Sequence, residues 1–165
     1  MSSSVVELLL EALDRAYDKK SWHGPNLRGS LRGVDAEAAS WRPGPDRHNV
    51  WEHAVHAAYW KYIVHRRLLN LKRGSFPLAG SNWFVRPAAA DSTSWTKDLE
   101  LLQRCHRELR SAVRRLRPEM LAITPPGSKV SNREMLLGVA AHDVYHAGQI
   151  QLLKRLWNAA QTVSS

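Results

Sequence analysis

The sequence predicts an all-α protein, a four-helix bundle with long crossover connections, and three features carry that prediction. Apolar residues recur at helical spacing in four long stretches, separated by clusters of glycine and proline. No stretch alternates apolar and polar residues with the period of two that a half-buried strand needs. No motif recurs at the period of about 20 to 50 residues that marks a solenoid, so the 165 residues suit one domain spanning 1–165.

The first helix opens at Ser4-Val5-Val6-Glu7, a Ser-x-x-Glu capping box in which hydroxyl and carboxylate each satisfy a free backbone N–H. Val6, Leu9, Leu10, Leu13 and Tyr17 form one stripe, and the helix should stop near Trp22-His23-Gly24-Pro25. Asn26 to His48 reads as a long linker with one short helical turn at Val34 to Ser40. The second helix starts at Asn49, with Glu52 as its capping partner, and runs to about Leu69. It carries His53, His56, Tyr59 and Trp60 where an ordinary core helix carries leucine.

Lys72 to Asp91 is a second long connection, and its Phe76, Trp83 and Phe84 predict a lid folded back onto the body. The third helix begins between Ser92 and Trp95 and ends before Pro118, turning Trp95, Leu99, Leu102, Leu109, Val113 and Leu116 inward. Pro125-Pro126-Gly127 then breaks the chain. Ser131-Asn132-Arg133-Glu134 is another capping box and opens the fourth helix. Its inward stripe is expected to be Met135, Val139, His142, His146, Gln149, Leu152, Leu153 and Leu156.

Composition narrows the function classes. With 44% hydrophobic and 24% charged residues the chain is an ordinary globular protein, not a disordered one. One cysteine, Cys105, excludes an internal disulfide framework, and its place between inward Leu102 and Leu109 predicts a small core residue rather than a nucleophile. The start lacks a basic signal-peptide region and no apolar run approaches the roughly 18 residues of a membrane span, so a cytoplasmic location and no membrane partner are expected. The net charge of +9 invites a nucleic-acid reading, but Arg104, Arg107, Arg110, Arg114, Arg115 and Arg117 suit a solvated helix face. No recognised nucleic-acid module accompanies them, which disfavours that partner.

Chemistry is read most directly from His142-Asp143-Val144-Tyr145-His146. Histidines four apart share a helix face one turn apart, so both imidazoles can reach one divalent ion; the alternative is two satisfied core histidines. His56, mid-helix on the second helix, can supply a third ligand, because bundles build metal sites from inward side chains of facing helices. Three imidazoles leave a coordination position open for water or substrate, as in catalytic rather than structural sites. Zinc or nickel suits such donors. The motif differs from the zinc-protease His-Glu-x-x-His in Asp143, one methylene shorter, which is expected beside the site or at the surface and not as a general base. Gln149 and Tyr59 lie along the same faces as the histidines and are candidates to hydrogen-bond near the metal, with helix bridging as the alternative; His53, one turn back from His56, is not expected to be a ligand.

Two segments resemble a known family. Asn49-Val50-Trp51-Glu52-His53-Ala54-Val55-His56-Ala57-Ala58-Tyr59-Trp60 and Ala141-His142-Asp143-Val144-Tyr145-His146-Ala147-Gly148-Gln149-Ile150 are similar to the second- and fourth-helix signatures of DinB-like proteins. Ser75-Phe76-Pro77 and Ser81-Asn82-Trp83 resemble the intervening loop of one subgroup. The resemblance implies a metal-binding bundle with His56, His142 and His146 as ligands, a homodimer, and a small-molecule substrate. Some family members are S-transferases using low-molecular-weight thiols such as bacillithiol or mycothiol, so a thiol cosubstrate is one expectation. A metal-dependent hydrolase and a metal-binding protein without turnover are the alternatives.

Overall fold

The computed structural model describes residues 4–163; residues 1–3 and 164–165 of the expected 1–165 domain lie outside the described residues. Four long helices, α1 (Val5–Tyr17), α4 (Val50–Leu68), α5 (Ser92–Arg114) and α6 (Asn132–Val163), form the bundle. Two short helices, α2 (Leu27–Ser30) and α3 (Ala36–Ser40), and a 3-10 turn at Pro118–Ala122 lie in the connections. Among the described residues there is no strand, and no helix is long and apolar enough to cross a membrane.

Each helix begins where a side chain can accept the free N–H groups of its first turn. At α1 the Ser4 hydroxyl and the Glu7 carboxylate complete the expected box, and Ser131 and Glu134 do the same for α6. At α4 the box is incomplete. Asn49 accepts from Glu52 N, but the Glu52 carboxylate turns away to Arg42 and His48. Helix α1 ends at Tyr17, five residues before Trp22, because Asp18 leaves helical geometry and Asn26 Nδ2 draws the Lys19 carbonyl into the following turn. The linker holds two short helices where one turn was expected.

The core divides into two clusters. One gathers α1 against α5 and α6 around Leu13, Leu109, Val113 and Leu136; the other gathers Trp51, Trp95, Leu102 and Ile150 where α4 and α5 meet the linker and Phe84. Of the expected α5 stripe, Leu99 and Leu116 are only partly buried. Of the expected α6 stripe, Met135, Val139, His146 and Leu153 are buried, joined by Leu136, Ala140, Ala147 and Ile150, while Leu152 and Leu156 face solvent. A helix of 32 residues, roughly 48 Å at 1.5 Å per residue, is more than twice the length of α1. Beyond the histidines α6 packs on the linker, with Trp157 against Trp41 and Lys154 donating to the Ser30 and Arg32 carbonyls. The basic face of α5 is not wholly free, since Arg110 forms a two-pronged bond with Asp14 of α1.

Candidate metal centre

Helix α4 presents His53 and His56, α6 presents His142 and His146, and packing of α4 on α6 brings the four rings together. His142 Nε2 lies 3.0 Å from His56 Nε2 and 3.0 Å from His146 Nε2. His56, His142 and His146 can each turn one nitrogen into a common space with all such atoms within 4.8 Å of one another. His53 stands outside that group. It meets His146 at the opposite nitrogen, Nδ1 to Nδ1 at 2.9 Å.

The far nitrogens decide what the near ones present. His56 Nδ1 lies 2.8 Å from the Asn82 carbonyl, which can only accept, so His56 carries its proton on Nδ1 and a bare lone pair on Nε2. His146 Nδ1 lies 3.0 Å from Gln149 Oε1, which sets the same tautomer. His142 Nε2 thus faces two lone pairs, while its own Nδ1 is buried without a partner. Burial, and then repulsion from His146 and His56, pushes the His142 pKa down to about 3. Burial and His56 take His146 down to about 4, and burial and His146 take His53 down to about 3. Burial also lowers His56, against the opposing bond to Asn82. These shifts favour neutral rings at pH 7, and neutral imidazoles with converging nitrogens are donors of the kind a divalent ion takes. The donor set fits a divalent ion.

The Lys72 to Asp91 connection is part of the centre and not only a cover. Asn82 holds a left-handed backbone, φ 64°, which turns its carbonyl onto His56 while its side chain accepts from Trp60 Nε1 at 3.0 Å. Trp83 stacks on both His48 and His56, with ring centroids 3.6 and 3.9 Å apart, and stands edge-on to His53. His48, Asn82 and Trp83 are site neighbours that helical periodicity could not find. The aromatic residues of the loop, Phe76, Trp83 and Phe84, were the available signal.

Among the other candidates, Gln149 bonds a ring of the triad and Trp60 stands edge-on to His56 and His142. Tyr59 packs among Trp60, Phe76 and Phe84, away from the histidine nitrogens. Asp143 is wholly buried and ion-paired with Lys61, which is equally buried and lies over the Tyr17 ring. A surface position for Asp143 is thereby corrected, and its carboxylate serves the α4–α6 contact. Burial pushes its pKa up to about 6 against the pull of Lys61. Cys105 is buried as expected, and burial pushes its thiol up to about 12. A cavity of about 770 Å³ beneath the loop is lined by Tyr59, Trp60 and Phe76 among others, and by none of the three histidines.

An all-α bundle with a histidine triad between facing helices defines the class. The profile of the DinB superfamily matches residues 21–150, and the chain belongs to that superfamily. A crystal structure of a conserved protein from Enterococcus faecalis aligns with a TM-score of 0.69 over 94% of this chain and 98% of that one. The two are 17% identical, so the likeness concerns the fold. No curated protein matches the chain.

Proposed function

We propose that His56, His142 and His146 bind one divalent ion, zinc or nickel, and that the protein is a metal-dependent enzyme joining a low-molecular-weight thiol to an electrophile. The convergence of three neutral imidazoles carries the metal reading. When bound, such an ion supplies Lewis acidity that lowers the pKa of a thiol or water reaching it. Gln149 and Asn82 orient two of the rings through their far nitrogens, the kind of outer contact that fixes a ligand's tautomer. Trp83 covers the rings and limits access of water.

One observation disfavours hydrolysis by the zinc-protease route, and a second says where a sulfur nucleophile would come from. Asp143, the residue in the position of a zinc-protease general base, is locked in the core against Lys61 and cannot take a proton from water. The chain's single thiol is buried and protonated, so a sulfur nucleophile must come from a diffusible molecule. The test is consumption of monochlorobimane by tag-free protein with and without zinc or nickel and an added thiol. Turnover that needs metal and thiol together, and is lost in His142→Ala, supports the reading. Metal-loaded protein that leaves the electrophile unchanged with every thiol tried would reduce the function to metal binding.

A further inference from the structure

The cavity beneath the Lys72 to Asp91 loop contains three arginines, Arg66, Arg67 and Arg73, and no acidic residue. None of the three forms an ion pair with a carboxylate among the described residues. Arg66 is only 9% exposed; one of its Nη atoms donates to the Leu71 carbonyl, and its Nε is buried with no partner. Arg67 donates to the Gly127 carbonyl at 2.9 Å and its Nε too is buried and unsatisfied. Arg73 reaches the same glycine, its Nη2 lying 3.8 Å from where a side chain there would begin.

Three guanidiniums lining one cavity repel one another, and a buried donor left without a partner forfeits its hydration with nothing in return. Leucine, methionine or glutamine would fill the same space without that cost. What guanidiniums do better than these is hold an oxyanion through paired N–H donors. The lining also includes Tyr59 and Trp60, about two turns before Arg66 and Arg67 on α4, and Phe76 of the loop, packed edge-on to Tyr59. Trp60 also stands edge-on to His56 and His142, so the cavity adjoins the histidine centre.

We infer that this cavity is a binding site for a small organic oxyanion, a carboxylate or phosphate ester, whose apolar body lies against Tyr59, Trp60 and Phe76. The inference rests on the metal reading only for what the bound molecule does next, namely reach toward the triad past Trp60. Its binding requires the arginines and not the metal.

The test is calorimetric titration of the full chain, metal-loaded and chelator-treated, with benzoate, phenyl phosphate and neutral benzamide. Both anions, or one of them, should bind in either metal state at least about tenfold more tightly than benzamide, and the tighter anion identifies the headgroup. Arg73→Gln, at an exposed position, and Arg66→Gln should each weaken binding by about tenfold, with added salt weakening it further. Should Arg66→Gln fail to fold, Arg73→Gln and Arg67→Gln carry the same test. Benzamide binding as well as the anions, neither anion binding at millimolar concentration, or folded arginine variants binding unchanged would overturn the inference. Anion binding that vanishes with the metal and ignores the arginines would overturn it while leaving the metal reading intact. Arginine-dependent binding by a protein that holds no metal would sustain it and sink the other.

Discussion

The Asn82 carbonyl accepts the Nδ1 proton of His56 at 2.8 Å, tying a loop residue with a left-handed backbone to a ring of the triad 26 positions earlier. Deleting residues 76–84 removes this contact together with the Trp83 ring that stacks on His56. The deletion should weaken metal affinity by roughly 10- to 100-fold, the range for loss of such outer partners, as measured by competition with a chromogenic chelator. Asn82→Gly, which keeps the carbonyl and tolerates the positive φ, should retain most of it.

The same contacts show what was legible in the sequence. The four helices and most of their caps could be read because periodicity and capping are local. His142 and His146 could be paired because they are four apart on one helix. Asn82, Trp83 and His48 could not be assigned, since a carbonyl turned by one positive φ and a ring stack across 35 residues leave no periodic trace. Asp143 was misplaced for a related reason: its partner Lys61 is 82 residues away, and a lysine on an apolar face gives no sign of being internal. Leu152 is exposed between buried Ile150 and Leu153, because which of two adjacent leucines turns inward depends on how α6 is rotated against its neighbours.

The Lys61–Asp143 pair yields a stability prediction. Asp143→Ala leaves a buried ammonium without a counter-charge and should cost about 3 to 5 kcal/mol in chemical denaturation. The double variant Lys61→Met/Asp143→Leu removes both charges at similar volume and should recover most of that loss. A double variant as unstable as the single one would mean that the pair contributes net stability.

Acid should destabilise the metal-free protein. Histidines held neutral by burial have folded pKa values below the ordinary 6.5, about 3 for His53 and His142 and about 4 for His146. Between pH 6.5 and those values the unfolded chain binds more protons, so stability falls as pH falls. For His53 alone the cost at pH 5 is about 2 kcal/mol. Asp143, raised to about 6, acts in the opposite sense between pH 6 and 4, as one group against these three and against His56, His65 and His106, which burial also lowers. The melting temperature of chelator-treated protein should therefore drop by several degrees from pH 7.5 to 5, and an unchanged value would show the rings to be solvated.

Self-association is expected through α6, where Leu137, Tyr145 and Leu152 are exposed on a helix otherwise well packed. Apolar side chains grouped on a surface favour an interface over solvent. Sedimentation at micromolar concentration should give a dimer that Tyr145→Glu/Leu152→Glu converts to monomer. A monomeric parent protein would refute this.

Metal stoichiometry tests the central claim most directly. Tag-free protein, dialysed and measured by plasma mass spectrometry, should carry close to one zinc or nickel ion per chain. His56→Ala, His142→Ala and His146→Ala should each lose it, and His53→Ala should keep it because His53 meets His146 at the nitrogen turned away from the common space. Loss of metal in His53→Ala with retention in His56→Ala, or no metal uptake by the folded parent protein, would contradict the assignment.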